Sequence, residues 1–218
     1  VRGKAHRMVV VVALLGALGI AGACKRPTEE RAPSGRATDA PAGAEVRVAP
    51  VEGLRIPDEA LVDQDGNAVR LRDLMAGRVV AVNFVFTTCT TVCSPMTAVF
   101  RRVQDGLGNS MEREVRLVSI SLDPATDTPE RLKRYADNFG RRAGWTFLTG
   151  ERERVLRVLR ALGGYAAVKE EHTPVTLIGR ADEGRWRRVH GIAPPDRLLA
   201  EIRGAAPRGA IAVEAAGR

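Results

Sequence analysis

The pentapeptide Cys89-Thr90-Thr91-Val92-Cys93 puts two soft sulfur ligands within one turn of each other, and no other segment of the chain does so. Residues four apart on a helical turn have Cβ atoms roughly 5–6 Å apart. Two thiols at that spacing can grip one metal ion or, with some backbone adjustment, close a Cys89–Cys93 disulfide, and the two uses compete for the same atoms. Asn83 to Thr87 close an apolar run that begins at Val79 and predicts a buried strand, while Pro95 predicts the first turn of a helix. The pair therefore sits where a strand hands over to a helix. Free N–H groups and the positive dipole end at a helix start favour thiolate over thiol, so both sulfurs are expected to be reactive rather than an inert buried pair.

Other residue types with chemical potential carry weaker signals. His172 by itself is a polar residue at the entrance to a strand, and His190, at a strand end beside Gly191, is expected to be solvated or locally hydrogen-bonded. Asp123-Pro124 and Asp127, beside Thr128-Pro129-Glu130, read as turn and helix-cap chemistry. Trp145 and Trp186 read as core and sheet-surface residues.

The elements around the cysteines alternate. Leu61 to Leu71, folded about Gln64-Asp65-Gly66-Asn67, predicts an opening β-hairpin, followed by a short helix from Arg72 to Ala76 and the strand Arg78–Phe86. Helices are predicted over Pro95–Leu107, Thr128–Phe139, Glu151–Leu162 and Pro195–Arg203. Strands are predicted over Val115–Leu122 and Trp145–Leu148, with a hairpin from Val175–Ile178 to Trp186–His190. This is an α/β order with a central mixed β-sheet flanked by helices. A CxxxC after the first buried strand points to a thioredoxin-like fold with an N-terminal β-hairpin.

At 218 residues and 44% hydrophobic content, one folded domain is expected, over 51–204, with a loose tail over 205–218. Arg2, Lys4 and Arg7 precede an uncharged stretch from Met8 to Ala23, which predicts an export signal over 1–24. Val1 in place of Met reads as an alternative start codon translated literally. The small residues before Cys24 are similar to a bacterial lipoprotein cleavage box, with Cys24 lipidated as the first mature residue. Ala21 stands where Leu, Val or Ile is more usual. A cleaved lipoprotein and an uncleaved anchor would both tether the domain to a membrane on the exported, periplasmic or extracytoplasmic side. Residues 25–50 contain no aromatic residue and predict a flexible tether with a reach of roughly 25–30 Å. The net charge of +8 is scattered and mostly arginine, without aromatic interleaving, so nucleic acid is not an expected partner.

Phe84 to Cys93, Val118 to Pro124 with Asp127-Thr128-Pro129, Trp145 to Gly150, and Glu171-His172-Thr173 resemble, in order, the hallmarks of the SCO/SenC family. These are thioredoxin-like copper proteins tied to cytochrome c oxidase assembly, and the likeness spans about residues 51 to 203. The resemblance implies copper, as Cu(I) with Cu(II) as a further state, held by Cys89, Cys93 and His172. It implies a metallochaperone acting on the dinuclear copper centre of the oxidase, with the copper-accepting subunit or a copper donor as partner. The alternatives are a thiol–disulfide oxidoreductase, in which Cys89 attacks and Cys93 resolves, or a redox sensor. The family often has Pro directly after each cysteine; here Thr90 and Ser94-Pro95 stand instead. Pro174 resembles the cis-proline that faces the cysteines in thioredoxins. A peroxiredoxin-type peroxidase is excluded, because its required Pro and Thr are here Val82 and Phe86.

Overall fold

The computed structural model describes residues 46–207. The expected export signal, Cys24, most of the tether and the tail from residue 208 lie outside the described residues. In chain order the elements are β1 (Val48–Val51), β2 (Ala60–Asp63), β3 (Ala68–Arg70), α1 (Leu71–Met75), β4 (Val79–Val85) and α2 (Cys93–Leu107). There follow β5 (Val115–Ser121), α3 (Pro129–Asn138), β6 (Trp145–Thr149), α4 (Arg152–Leu162), β7 (Val175–Arg180), β8 (Arg185–His190) and α5 (Pro195–Ala205). The strands form one sheet in the order β1-β8-β7-β4-β5-β6-β2-β3.

β4 lies in the middle of this sheet and is buried at every position. A strand covered on both faces carries a continuous apolar run instead of an alternating one, which is how Val79 to Val85 read. β5 pairs with β4 in parallel and β7 pairs with it antiparallel, so the sheet is mixed. The parallel β4–β5–β6 block ends on the side from which the cysteine loop leaves β4. Polar groups stitch its interior: Trp145 Nε1 donates to Ser119 Oγ at 3.0 Å, and that hydroxyl donates to Asn83 Oδ1 at 2.6 Å.

Local chemistry explains the boundaries. Asp63 accepts backbone N–H groups from Asp65 and Asn67, closing the β2–β3 hairpin as an Asx turn. Thr128 Oγ1 caps α3 by accepting from the Arg131 N–H at 3.3 Å, and Gly163 ends α4 in the left-handed conformation at φ 70°. Most of the predicted ends fall within two residues of the observed ones, and two of the differences bear on the site and the tether. α2 begins at Cys93, two residues before Pro95; the first-turn N–H groups have no intrahelical partner, so proline is tolerated throughout that turn. β1 begins at Val48, inside the stretch read as tether, because its four residues are ordered by pairing with β8 and by packing of Val48 and Val51 against the core. Pro174 is also a correction. No peptide bond among the described residues is cis, and the Pro174 carbonyl accepts the Gly191 N–H at 2.8 Å, extending the β7–β8 ladder.

Candidate functional site

β4 runs out at Val85, and the buried Phe86 turns the chain by accepting the Cys89 N–H at 3.1 Å. Four residues on, Cys93 opens α2 and is 1% exposed, whereas Cys89 is half-buried. No side chain of the preceding Val92 caps this helix. The Cys89 sulfur takes that place: the Cys93 N–H donates to Cys89 Sγ at 3.3 Å. Both cysteines are free thiols. Burial alone would raise the Cys89 thiol, but hydrogen bonds from Cys93 and Thr91 outweigh it and hold Cys89 below its ordinary value. Burial pushes the Cys93 thiol up to about 12, and the Cys89 hydrogen bond and the Asp127 charge push the same way. The pair is thus asymmetric, with an accessible sulfur inclined to ionise and a sequestered one inclined to stay protonated.

Two polar clusters hold the loop from below. The fully buried Asp127 carboxylate accepts from Thr87 N–H at 3.1 Å, Thr87 Oγ1 at 2.6 Å and Ser121 Oγ at 2.6 Å. This is not cap chemistry, since Thr128 caps α3. Asp127 instead ties β5 to the residues that lead into the cysteines. Asp123 does show the expected turn, its carbonyl accepting the Thr126 and Asp127 N–H groups, and its side chain pairs with Lys169. On the helix side, Thr97 Oγ1 donates to the Cys93 carbonyl at 2.8 Å and lies 2.8 Å from the Tyr135 hydroxyl. With its one proton already given, Thr97 must accept from Tyr135. Burial pushes the Tyr135 phenol up to about 12, so it keeps that proton.

His172 follows the short 3-10 turn Lys169–Glu171. Its Nδ1 lies 2.9 Å from the Lys169 carbonyl oxygen. A carbonyl can only accept, so Nδ1 carries a proton, and of the two neutral tautomers the contact selects the one that leaves the Nε2 lone pair free, the arrangement of a metal-ligating imidazole. The ring meets Phe86 edge-on at 5.9 Å between centroids. Phe86 also supports the Cys93 sulfur through its backbone, so His172 stands one side chain away from the cysteine pair. The structure brings Cys89 and Cys93 together but does not converge them with His172: no group of three or more His, Cys, Asp or Glu side chains assembles among the described residues. The donor types fit soft Cu(I), which accepts two thiolates and an imidazole in a low-coordinate site. His190 lines a recess of about 290 Å³ that His172 also borders. Burial, with Arg47 and Arg188 nearby, lowers its basicity.

The family model described as SCO1/SenC matches residues 57–206. The chain belongs to the SCO1/SenC family. It is 42% identical over 89 residues to the SCO1 protein homolog of Bacillus subtilis, a match covering 40% of this chain and 45% of that one. The chain spans about half the length of the curated relatives it matches. The structure of BsSco is 28% identical, covers 72% of this chain and 95% of its own, and superposes with a TM-score of 0.61. That protein is a member of the Sco family of cytochrome c oxidase assembly proteins, and a disulfide switch was identified in it. The copper-bound ScoI of Bradyrhizobium japonicum shares the fold at 24% identity, with a TM-score of 0.57 over 67% of this chain and 96% of that one. The thioredoxin-like fold of this SCO1/SenC chain is therefore established.

The sequence reading of the site missed Asp127 as a loop support and missed the Tyr135–Thr97 pair. Thr97 lies four residues after Cys93 on α2, a signal of a helix face but not of a partner. The thiol asymmetry has a direct consequence. Near pH 7, iodoacetamide is expected to modify the Cys93→Ser protein, through Cys89, at least about tenfold faster than the Cys89→Ser protein, through Cys93. The Cys89 rate should level off at a lower pH than that of an ordinary thiol, because its thiolate is already populated there. Peptide-resolved mass kinetics at residues 89 and 93 read both apart from Cys24, and equal rates would contradict the assignment.

Proposed function

We propose that this chain is a membrane-tethered copper metallochaperone acting from the exported face, which binds copper through Cys89, Cys93 and His172. It would pass the metal by ligand exchange to the dinuclear copper centre of cytochrome c oxidase. The observation that carries the reading is the cysteine pair at the start of α2, one sulfur capping the helix and its partner buried beneath it. Support comes from family membership, from the copper-bound relative with this fold, and from the Nδ1 hydrogen bond that leaves Nε2 of His172 as a ligand atom. Tethering rests on the N-terminal basic and uncharged segments and on Cys24 as the lipidated residue. No helix among the described residues is long and apolar enough to cross a membrane.

The thiol asymmetry also favours a second reading, thiol–disulfide exchange. The Cys89 thiolate would attack a disulfide sulfur of the acceptor and expel the other acceptor sulfur as thiolate. Cys93 would then attack Cys89 Sγ, releasing the second acceptor thiol and leaving a Cys89–Cys93 disulfide. His172→Ala separates the two. Copper retention by the reduced protein should collapse in this variant while exchange with a small disulfide largely survives; equal loss of both would contradict the division of roles.

A further inference from the structure

The turn that carries His172 has no side-chain cap, and none of its three residues is buried. Besides the ring contact of His172 with Phe86, Lys169 anchors the turn to the rest of the site. The Lys169 carbonyl accepts twice from His172, from the backbone N–H at 3.3 Å and from Nδ1 at 2.9 Å. The Lys169 ammonium lies 2.5 Å from Asp123 Oδ2 and 5.4 Å from the centre of the Phe86 ring. Both contacts are made to fixed groups. Asp123 donates its N–H to Ser121 Oγ at 2.9 Å and accepts two backbone N–H groups. Phe86 is buried directly after β4, accepts the Cys89 N–H and meets the His172 ring.

We propose that Lys169 is a positioning residue of the metal site. Its carbonyl selects the tautomer of His172 that leaves Nε2 free, and its ammonium pins the turn to Asp123 and to Phe86, holding the imidazole within reach of the cysteine loop. This rests on the copper reading of Cys89, Cys93 and His172 given above. An exposed ion pair contributes little to stability. Here Lys169 and Asp123 are only 32% and 12% exposed, and the pair joins segments 46 residues apart, so its effect falls on geometry. Loss of an outer-shell partner of a metal-ligating histidine typically costs about 10–100-fold in metal affinity.

The full chain, reduced and metal-free, is compared as wild type, Lys169→Met, Lys169→Arg, Asp123→Asn and His172→Ala. Nitrogen NMR of the imidazole in the metal-free protein should show His172 as the single Nδ1–H tautomer in wild type and in Lys169→Arg. Lys169→Met and Asp123→Asn should show mixed tautomers. Cu(I) affinity, measured by competition with a chromophoric chelator, should fall about tenfold in Lys169→Met and Asp123→Asn and stay within about threefold of wild type in Lys169→Arg. A purely structural role would move thermal stability but neither the tautomer nor its rescue by arginine. If His172→Ala weakens copper binding while Lys169→Met keeps both the wild-type tautomer and the wild-type affinity, the positioning role is overturned and the copper reading stands. Unchanged affinity in His172→Ala would overturn the copper role of the imidazole and, with it, the proposal.

Discussion

Replacing Cys93 with serine is expected to lower Cu(I) affinity by more than about a hundredfold, beyond what loss of an outer-shell partner costs. Serine offers a hard hydroxyl oxygen where Cu(I) prefers soft sulfur, and Cys93, at 1% exposure, is closed to bulk solvent. Cys89→Ser should lose copper to a similar extent, and the two variants should then part company in thiol chemistry. With Cys93 absent, Cys89 can still attack a disulfide, but nothing resolves the product, so Cys93→Ser should accumulate a stable mixed disulfide. Cys89→Ser should form almost none, because burial holds the remaining Cys93 as thiol. Peptide mass spectrometry at positions 89 and 93, after incubation with a small disulfide, reads the difference apart from any adduct at Cys24. Comparable adducts in both variants would contradict the assignment of attacker and resolver.

Asp127→Ala is expected to destabilise the folded protein by about 3 kcal/mol, through three donors left in a buried site without an acceptor. Two of those donors belong to Thr87, two residues before Cys89, so the cysteine loop should loosen as the protein weakens. Asp127→Asn should cost roughly half as much, because its oxygen can still serve Thr87 while the Ser121 hydroxyl rotates to accept from the new amide. Urea unfolding of the three proteins checks the order. Stability of Asp127→Ala within about 0.5 kcal/mol of wild type would show that Asp127 does not support the loop.

Much of this was legible in the sequence, and the exceptions have physical causes. The apolar run of β4, the start of α3, the end of α4 and the CxxxC position depend on local pattern and backbone preference, which a linear reading detects. β1 escaped because a four-residue strand without an aromatic residue is ordered by tertiary contacts, its pairing with β8 and the packing of Val48 and Val51 on the core. Asp127 escaped because an aspartate before Thr-Pro-Glu reads as a cap, whereas its partners Thr87 and Ser121 meet it only once β4 and β5 pair. Lys169 carries no local signal at all, since its meaning lies in a contact with Asp123 across the chain. Pro174 shows the opposite failure. A residue type familiar from related folds invited a cis assignment, and here the β7–β8 ladder continues through a trans bond.

The copper role proposed for the Cys89–Cys93 pair requires both sulfurs to be reduced. The most direct test is copper stoichiometry of the full chain loaded with Cu(I) after reduction, beside the same protein first oxidised to the Cys89–Cys93 disulfide. Both samples should be freed of loosely held metal by a competing chelator. One tightly held copper per reduced chain and none per oxidised chain is the expected result. A reduced protein with an intact, readily exchanged dithiol that retains no copper would contradict it and leave thiol–disulfide exchange as the function of the pair.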